Sequence, residues 1–188
     1  MKQFFLSILL VFFVVTGFSA NDHEVVIVYQ GATAAVDASE DVSQFITVDV
    51  NGADVTVEQD DEVADEITYR LTEQTDNGSF VHKGDFKITL SLEGLQLASQ
   101  TGAAMQIKNG KRIAIVLKDG TENMLTDKDG GDQKACMTVK GHCEFQGGGS
   151  LIINGRGKHA LKSRICGGES YDRAALARQH CEGRHTHR

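Results

Sequence analysis

The 188-residue sequence predicts an all-β fold, a solenoid of short stacked coils, and three observations carry that expectation. A five-residue pattern of small residue, apolar residue, two further residues and a base occurs as Ala104-Met105-Gln106-Ile107-Lys108, Cys136-Met137-Thr138-Val139-Lys140 and Ala160-Leu161-Lys162-Ser163-Arg164. Its bases recur at steps of 32 and 24 residues, a spacing that belongs to solenoid repeats. Twenty glycines and no proline suit short strands whose every N–H is wanted by a ladder, because proline deletes a donor. Helical periodicity is absent until the C-terminal tail, whereas strand alternation recurs throughout.

The elements follow in order. Lys2 precedes an apolar run from Phe4 to Val15, and Thr16-Gly17-Phe18-Ser19-Ala20 supplies small residues for cleavage after Ala20. Residues 1–20 are therefore expected to be a signal peptide, and the mature chain to be exported to the cell surface, the periplasm or the medium. The run is too short for a convincing membrane span. Val25-Val26-Ile27-Val28-Tyr29 reads as the first strand. Phe45-Ile46-Thr47-Val48-Asp49-Val50 and Ala53-Asp54-Val55-Thr56-Val57 read as two more, joined by the tight turn Asn51-Gly52. Residues 67–71, 86–92, 113–117, 143–145 and 151–153 continue the pattern, with turn signals such as Asp76-Asn77-Gly78, Asn109-Gly110 and Gly147-Gly148-Gly149 between them. Residues 21–66 are read as an acidic β-rich segment ahead of a short solenoid over residues 67–164. Residues 165–188 are an atypical tail, read as a divergent or frameshifted end that truncates the solenoid, with an end cap as the alternative.

Charge is unevenly spread. Residues 21–69 hold thirteen acids and no lysine or arginine, whereas 18 bases face 13 acids from Arg70 onward. The overall acidic balance argues against nucleic acid as a partner, while the second half is free to present a basic surface. In a strand, Met105, Met137 and Leu161 can point inward while the base three positions later points outward. Stacked coils would then align cations about 4.8 Å apart, which repel by about 1 kcal/mol in water. Either acids of neighbouring coils neutralise the column, or it simply points into solvent, or an anionic ligand lies along it. The sequence has no tryptophan and three tyrosines. An aromatic platform for neutral sugar rings is not expected, and a saccharide ligand would be an acidic one.

The motifs Ile67-Thr68-Tyr69, Asp76-Asn77-Gly78-Ser79-Phe80, Leu92-Glu93-Gly94-Leu95-Gln96-Leu97, Gly110-Lys111-Arg112-Ile113, Leu125-Thr126-Asp127, Gly141-His142-Cys143-Glu144-Phe145 and Lys158-His159-Ala160-Leu161-Lys162-Ser163 follow one another along the chain. Together they resemble the exported carbohydrate-binding-domain proteins related to a clostridial polygalacturonate-binding β-helix. That resemblance implies a right-handed parallel β-helix, an acidic polysaccharide ligand, bound calcium, and a fold close to pectate lyases without established catalysis. Two departures stand out. Members of that family are usually longer, and where they often carry paired acids after the repeat base this chain has Gly141-His142.

On this reading the carbohydrate-binding candidates are Lys108, Lys140, His159, Lys162 and Arg164, with His159 equally at home as a structural hydrogen-bonding residue. Asp127, Asp129 and Asp132 lie on a glycine-rich turn and are candidate calcium ligands, an ordinary acidic turn being the alternative. No catalytic residue is assigned. Rival classes are a calcium-dependent polysaccharide lyase, which would use a Lys or Arg base beside a uronate carboxylate, and a purely structural surface or adhesion solenoid. Cys136 and Cys143 are read either as a bridge across an intervening turn or as small buried apolar residues. Cys166, Cys181, His185 and His187 match no common zinc spacing.

Overall fold

The computed structural model describes residues 20–167. Alternation is the local rule that builds it. In β4 (Ala53–Gln59) the residues Ala53, Val55, Val57 and Gln59 are buried, while Asp54, Thr56 and Glu58 turn outward. The same period-two pattern recurs in β6 (Gly78–Gly84), β8 (Met105–Asn109) and β12 (Ser150–Asn154), so each strand delivers one apolar face to a common interior.

These strands join in a 13-stranded sheet that coils on itself. One face stacks β1 (Glu24–Gln30), β5 (Ile67–Thr75), β7 (Ile88–Ala98), β9 (Arg112–Leu117) and the second half of β11 (Met137–Gln146), each parallel to the next. A second stacks β4, β6, β8, the start of β11 and β13 (Leu161–Gly167), also in parallel. A third carries β10 (Glu122–Thr126) between the end of β7 and β12. The result is a parallel β-solenoid of about 4 turns. At its N-terminal end β2 (Thr33–Ala38) pairs antiparallel with β1, and β3 (Ile46–Asn51) with β4. Gly52, at φ +62°, makes the tight β3–β4 turn that the Asn51-Gly52 pair predicts. The one helix among the described residues is the four-residue α1 (Glu40–Ser43). No described helix is long and apolar enough to cross a membrane.

The expected boundary at residue 66 is not a break in this sheet. β1 is hydrogen-bonded in parallel to β5, and β4 to β6, so the acidic segment supplies the first coil. At the other end β13 continues past Arg164 to Gly167. The helix-like patch expected over residues 171–179 lies outside the described residues.

Stacked rows of like residues form the core. Val55, Phe80, Met105, Met137 and Leu161 stand in register on the second face, and the first four are fully buried. Burying such side chains stabilises by about 1.5–3 kcal/mol each. Polar clamps tie the corners: buried Asn123 accepts from the Leu95 N–H at 2.9 Å and donates to the Ser150 carbonyl at 3.0 Å, linking three successive coils. The neighbouring inward row is less regular, running Val57, His82, Ile107, Val139 and Ser163. There the His82 ring meets Tyr69 edge-on at 4.9 Å.

The cysteine expectations divide. Cys136 is a free, fully buried thiol whose pKa is pushed up to about 12 by burial and the nearby Asp127 carboxylate, which fits the small apolar role. Cys143 is disulfide-bonded, so a Cys136–Cys143 bridge is excluded. Backbone register sets Cys143 opposite Cys166 on β13.

Candidate functional site

The second face turns Gln106 and Lys108 of β8 outward, Thr138 and Lys140 of β11 beside them, and Lys162 of β13 beyond. Register places Gln106, Thr138 and Lys162 in one cross-coil row. Over this surface stands the loop carrying Asp132, Gln133 and Lys134, and between them lies a groove of about 670 Å³. Three of the sequence candidates, Lys108, Lys140 and Lys162, thus come together in one groove. They do not make a single straight column. Lys108 follows the register partner of Val139 and sits opposite Lys83 on the preceding coil, Lys162 belongs to the adjacent row, and the ladder shifts register just after Val139.

The loop is held from below. Asp127 is 1% exposed, and its carboxylate accepts from Gln133 Nε2 at 2.8 Å, from the Arg156 N–H at 2.5 Å and from the Gly157 N–H at 3.4 Å. Gln133 also donates to the Lys128 carbonyl at 2.6 Å, and Lys158 Nζ to the Asp132 carbonyl at 3.4 Å. Asp127 therefore acts as the anchor of the loop. Asp129 and Asp132 are exposed, and among the described residues no three His, Cys, Asp or Glu side chains gather as a metal would require. The three aspartates are not brought together as one ligand set.

On the earlier coils several bases meet acids of neighbouring coils: Lys83 with Glu58 at 3.1 Å, Lys118 with Glu93 at 2.7 Å, and Arg112 with Glu66 at 2.8 Å and Glu144 at 3.7 Å. Lys128, Arg156 and Lys158, outside the groove, have no carboxylate within ion-pairing distance among the described residues. Lys108, Lys134, Lys140 and Lys162 have no carboxylate within ion-pairing distance among the described residues, and Asp132 is the one acid in the lining. Neutralisation by acids of neighbouring coils holds for Lys83 and fails for these four. Such an arrangement can hold a ligand bearing several carboxylates, its hydroxyls meeting Gln106 and Thr138.

His159 stands apart from the groove: its ring is exposed and its carbonyl accepts from the Cys136 N–H at 2.9 Å. Arg164 lies on β13, with its side chain outside what the structure describes. Lys134, Gln106 and Thr138 were not singled out from the sequence. The latter two are the outward positions between the inward residues of the repeat, so alternation alone could have found them. Lys134 is on a loop whose placement depends on Asp127. Of the tyrosines, Tyr29 and Tyr69 are buried in the core, and among the described residues no aromatic side chain lines the groove.

Comparison with known proteins agrees with this fold. The family model described as "Carbohydrate-binding domain-containing protein" matches residues 51–165, more than half of the chain. A curated protein of the same description from Acetivibrio thermocellus is 31% identical over 78 residues, covering 37% of this chain and 27% of that protein. The polysaccharide lyase-like protein from C. thermocellum, solved as a gadolinium derivative, superposes with a TM-score of 0.58 at 19% identity, over 74% of this chain and 56% of that one. The chain thus spans about a quarter of the curated relative and just over half of the solved structure, and the latter likeness shows the fold. On the family match, this chain belongs to the carbohydrate-binding-domain family.

Proposed function

We propose that the protein is an exported, non-catalytic binder of an anionic, uronate-type polysaccharide, held in the groove on the second face by Lys108, Lys134, Lys140 and Lys162. The observation that carries this reading is the gathering in one groove of four lysines that have no ion-pair partner among the described residues, with Asp132 as the acid beside them. Unpaired ammonium groups within one groove repel one another, and a ligand carrying repeated carboxylates relieves that repulsion. Export rests on the signal-like residues 1–20.

The test is binding of polygalacturonate by the mature chain as salt is raised, with the triple variant Lys108→Gln, Lys140→Gln, Lys162→Gln alongside. Exposed contacts contribute up to about 1 kcal/mol each, so affinity should fall by roughly ten- to a hundredfold in the variant. Wild-type affinity should also weaken with salt, because ion pairs at the surface are screened over about 10 Å at 0.1 M. Salt-independent binding that the variant retains in full would place the site elsewhere. A chelator arm asks whether Asp132, on the groove's rim, shares a cation with the ligand. The rival reading is a lyase; unsaturated-uronide absorbance that grows during incubation with polygalacturonate and calcium, and that the triple variant loses, would replace binding by catalysis.

A further inference from the structure

We propose a second saccharide site on the third face, where Arg156 takes the carboxylate of a single uronic-acid unit and the amides of Gln74, Gln96 and Gln100 take its hydroxyls. These residues line a groove of about 320 Å³ distinct from the lysine groove. Gln74 of β5 and Gln96 of β7 are register partners, both exposed, and Met124 of β10 extends the row. Each amide offers a donor and an acceptor, the combination that adjacent sugar hydroxyls require. Gln100 is fixed at the edge by donating to the Asp76 carbonyl at 3.1 Å. Met124 supplies an apolar patch for the C–H face of a sugar ring.

Arg156 is the base among the described lining residues, which also include the exposed Asp76 and the buried Asp127. Its main-chain N–H is bound to the buried Asp127 carboxylate, while the residue itself is exposed and its guanidinium has no carboxylate within ion-pairing distance among the described residues. A guanidinium fork matches a carboxylate with two parallel hydrogen bonds. One fork among several amides fits a hydroxyl-rich unit with a single acid, where the lysine groove fits a run of charges. Asp127 joins the two, since it receives Gln133 of the first groove and the Arg156 N–H of the second. The proposal shares with the proposed function the premise of a uronate ligand, but not its site.

Calorimetric titration of the full chain with trigalacturonate tests it. Wild type should bind two equivalents, and the Lys108→Gln, Lys140→Gln, Lys162→Gln variant should keep one. Adding Arg156→Gln to that variant should weaken the remaining equivalent by about tenfold, the worth of one charge-assisted hydrogen bond. Arg156→Lys, which keeps the charge and loses the fork, should fall in between. Loss of all binding in the lysine variant would overturn the second site and leave the first standing. Two equivalents retained in the lysine variant, with Arg156→Gln removing one, would sustain the second site and overturn the first. No binding by wild type would overturn both.

Discussion

His82 shows how one inward residue can couple the core to pH. It is fully buried, and neither ring nitrogen has a hydrogen-bond partner within the protein. Burial lowers its pKa to about 4, because the interior penalises the imidazolium. In the unfolded chain the ring titrates near 6.5. Between those values the unfolded state binds a proton that the folded state does not, so stability falls as pH drops from about 6.5 to about 4 and rises as pH returns. The difference is worth about 3 kcal/mol. Urea unfolding at neutral pH and near pH 4 should show that loss in wild type and a smaller one in His82→Leu; parallel losses would mean the ring is solvated. Met137 tests the same interior from its apolar side. It is fully buried between Met105 and Leu161 in the row of stacked inward residues, so Met137→Asp should lower stability by about 4 kcal/mol or more, the cost of an unpaired buried charge. An unchanged melting temperature would refute the inward register.

At the scale of the element, β11 is where one strand serves two faces. Its first residues pair with β8 and its last with β9, with a register shift between Val139 and His142. Gly141 sits at that corner, where an added Cβ would collide with the Lys111 carbonyl and come within 2.8 Å of the Asn109 carbonyl. These are backbone atoms that cannot swing aside. Gly141→Ala should therefore cost about 1–3 kcal/mol in thermal unfolding. Gly102→Ala, whose Cβ would meet nothing within 4 Å, should stay within about 0.5 kcal/mol of wild type. Equal effects at the two glycines would mean that the corner relaxes freely.

For the molecule as a whole, the continuous sheet matters more than the charge asymmetry along the chain. Each coil of a solenoid is stabilised chiefly by its neighbours, and the acidic N-terminal segment is the neighbour of β5 and β6. Deleting residues 21–66 should expose the fully buried Tyr69, Leu71 and Phe80, giving dye binding and loss of a cooperative melt. A deletion variant that melts cooperatively at the wild-type temperature would restore the segment to a separate unit. The pairing of bases with acids of adjacent coils also belongs to this scale, since it leaves a lysine groove uncompensated on a chain that is acidic overall.

The repeat, the strand alternation and the Asn51-Gly52 turn were legible in the sequence because they are local: period-two burial and a left-handed glycine follow from a few adjacent residues. So was the recurrence of Lys108 and Lys140, which the repeat predicts and which the fold brings into one groove, whereas Lys162 joins them from the adjacent row and the third repeat base, Arg164, has its side chain outside the described residues. Other features depended on residues far apart in sequence. That Lys83 finds Glu58 while Lys108 finds no acid among the described residues follows from which residue each coil sets beside it. That Asp127 anchors a loop follows from N–H groups at Arg156 and Gly157, 29 and 30 positions away. That Cys136 stays free while Cys143 is bridged follows from which strand lies against β11. Coil length varies from turn to turn, so the cross-coil partner of a given residue is set by the closed loops and register shifts of the solenoid, and only the tertiary structure decided which charges are neutralised and which are left without an ion-pair partner among the described residues.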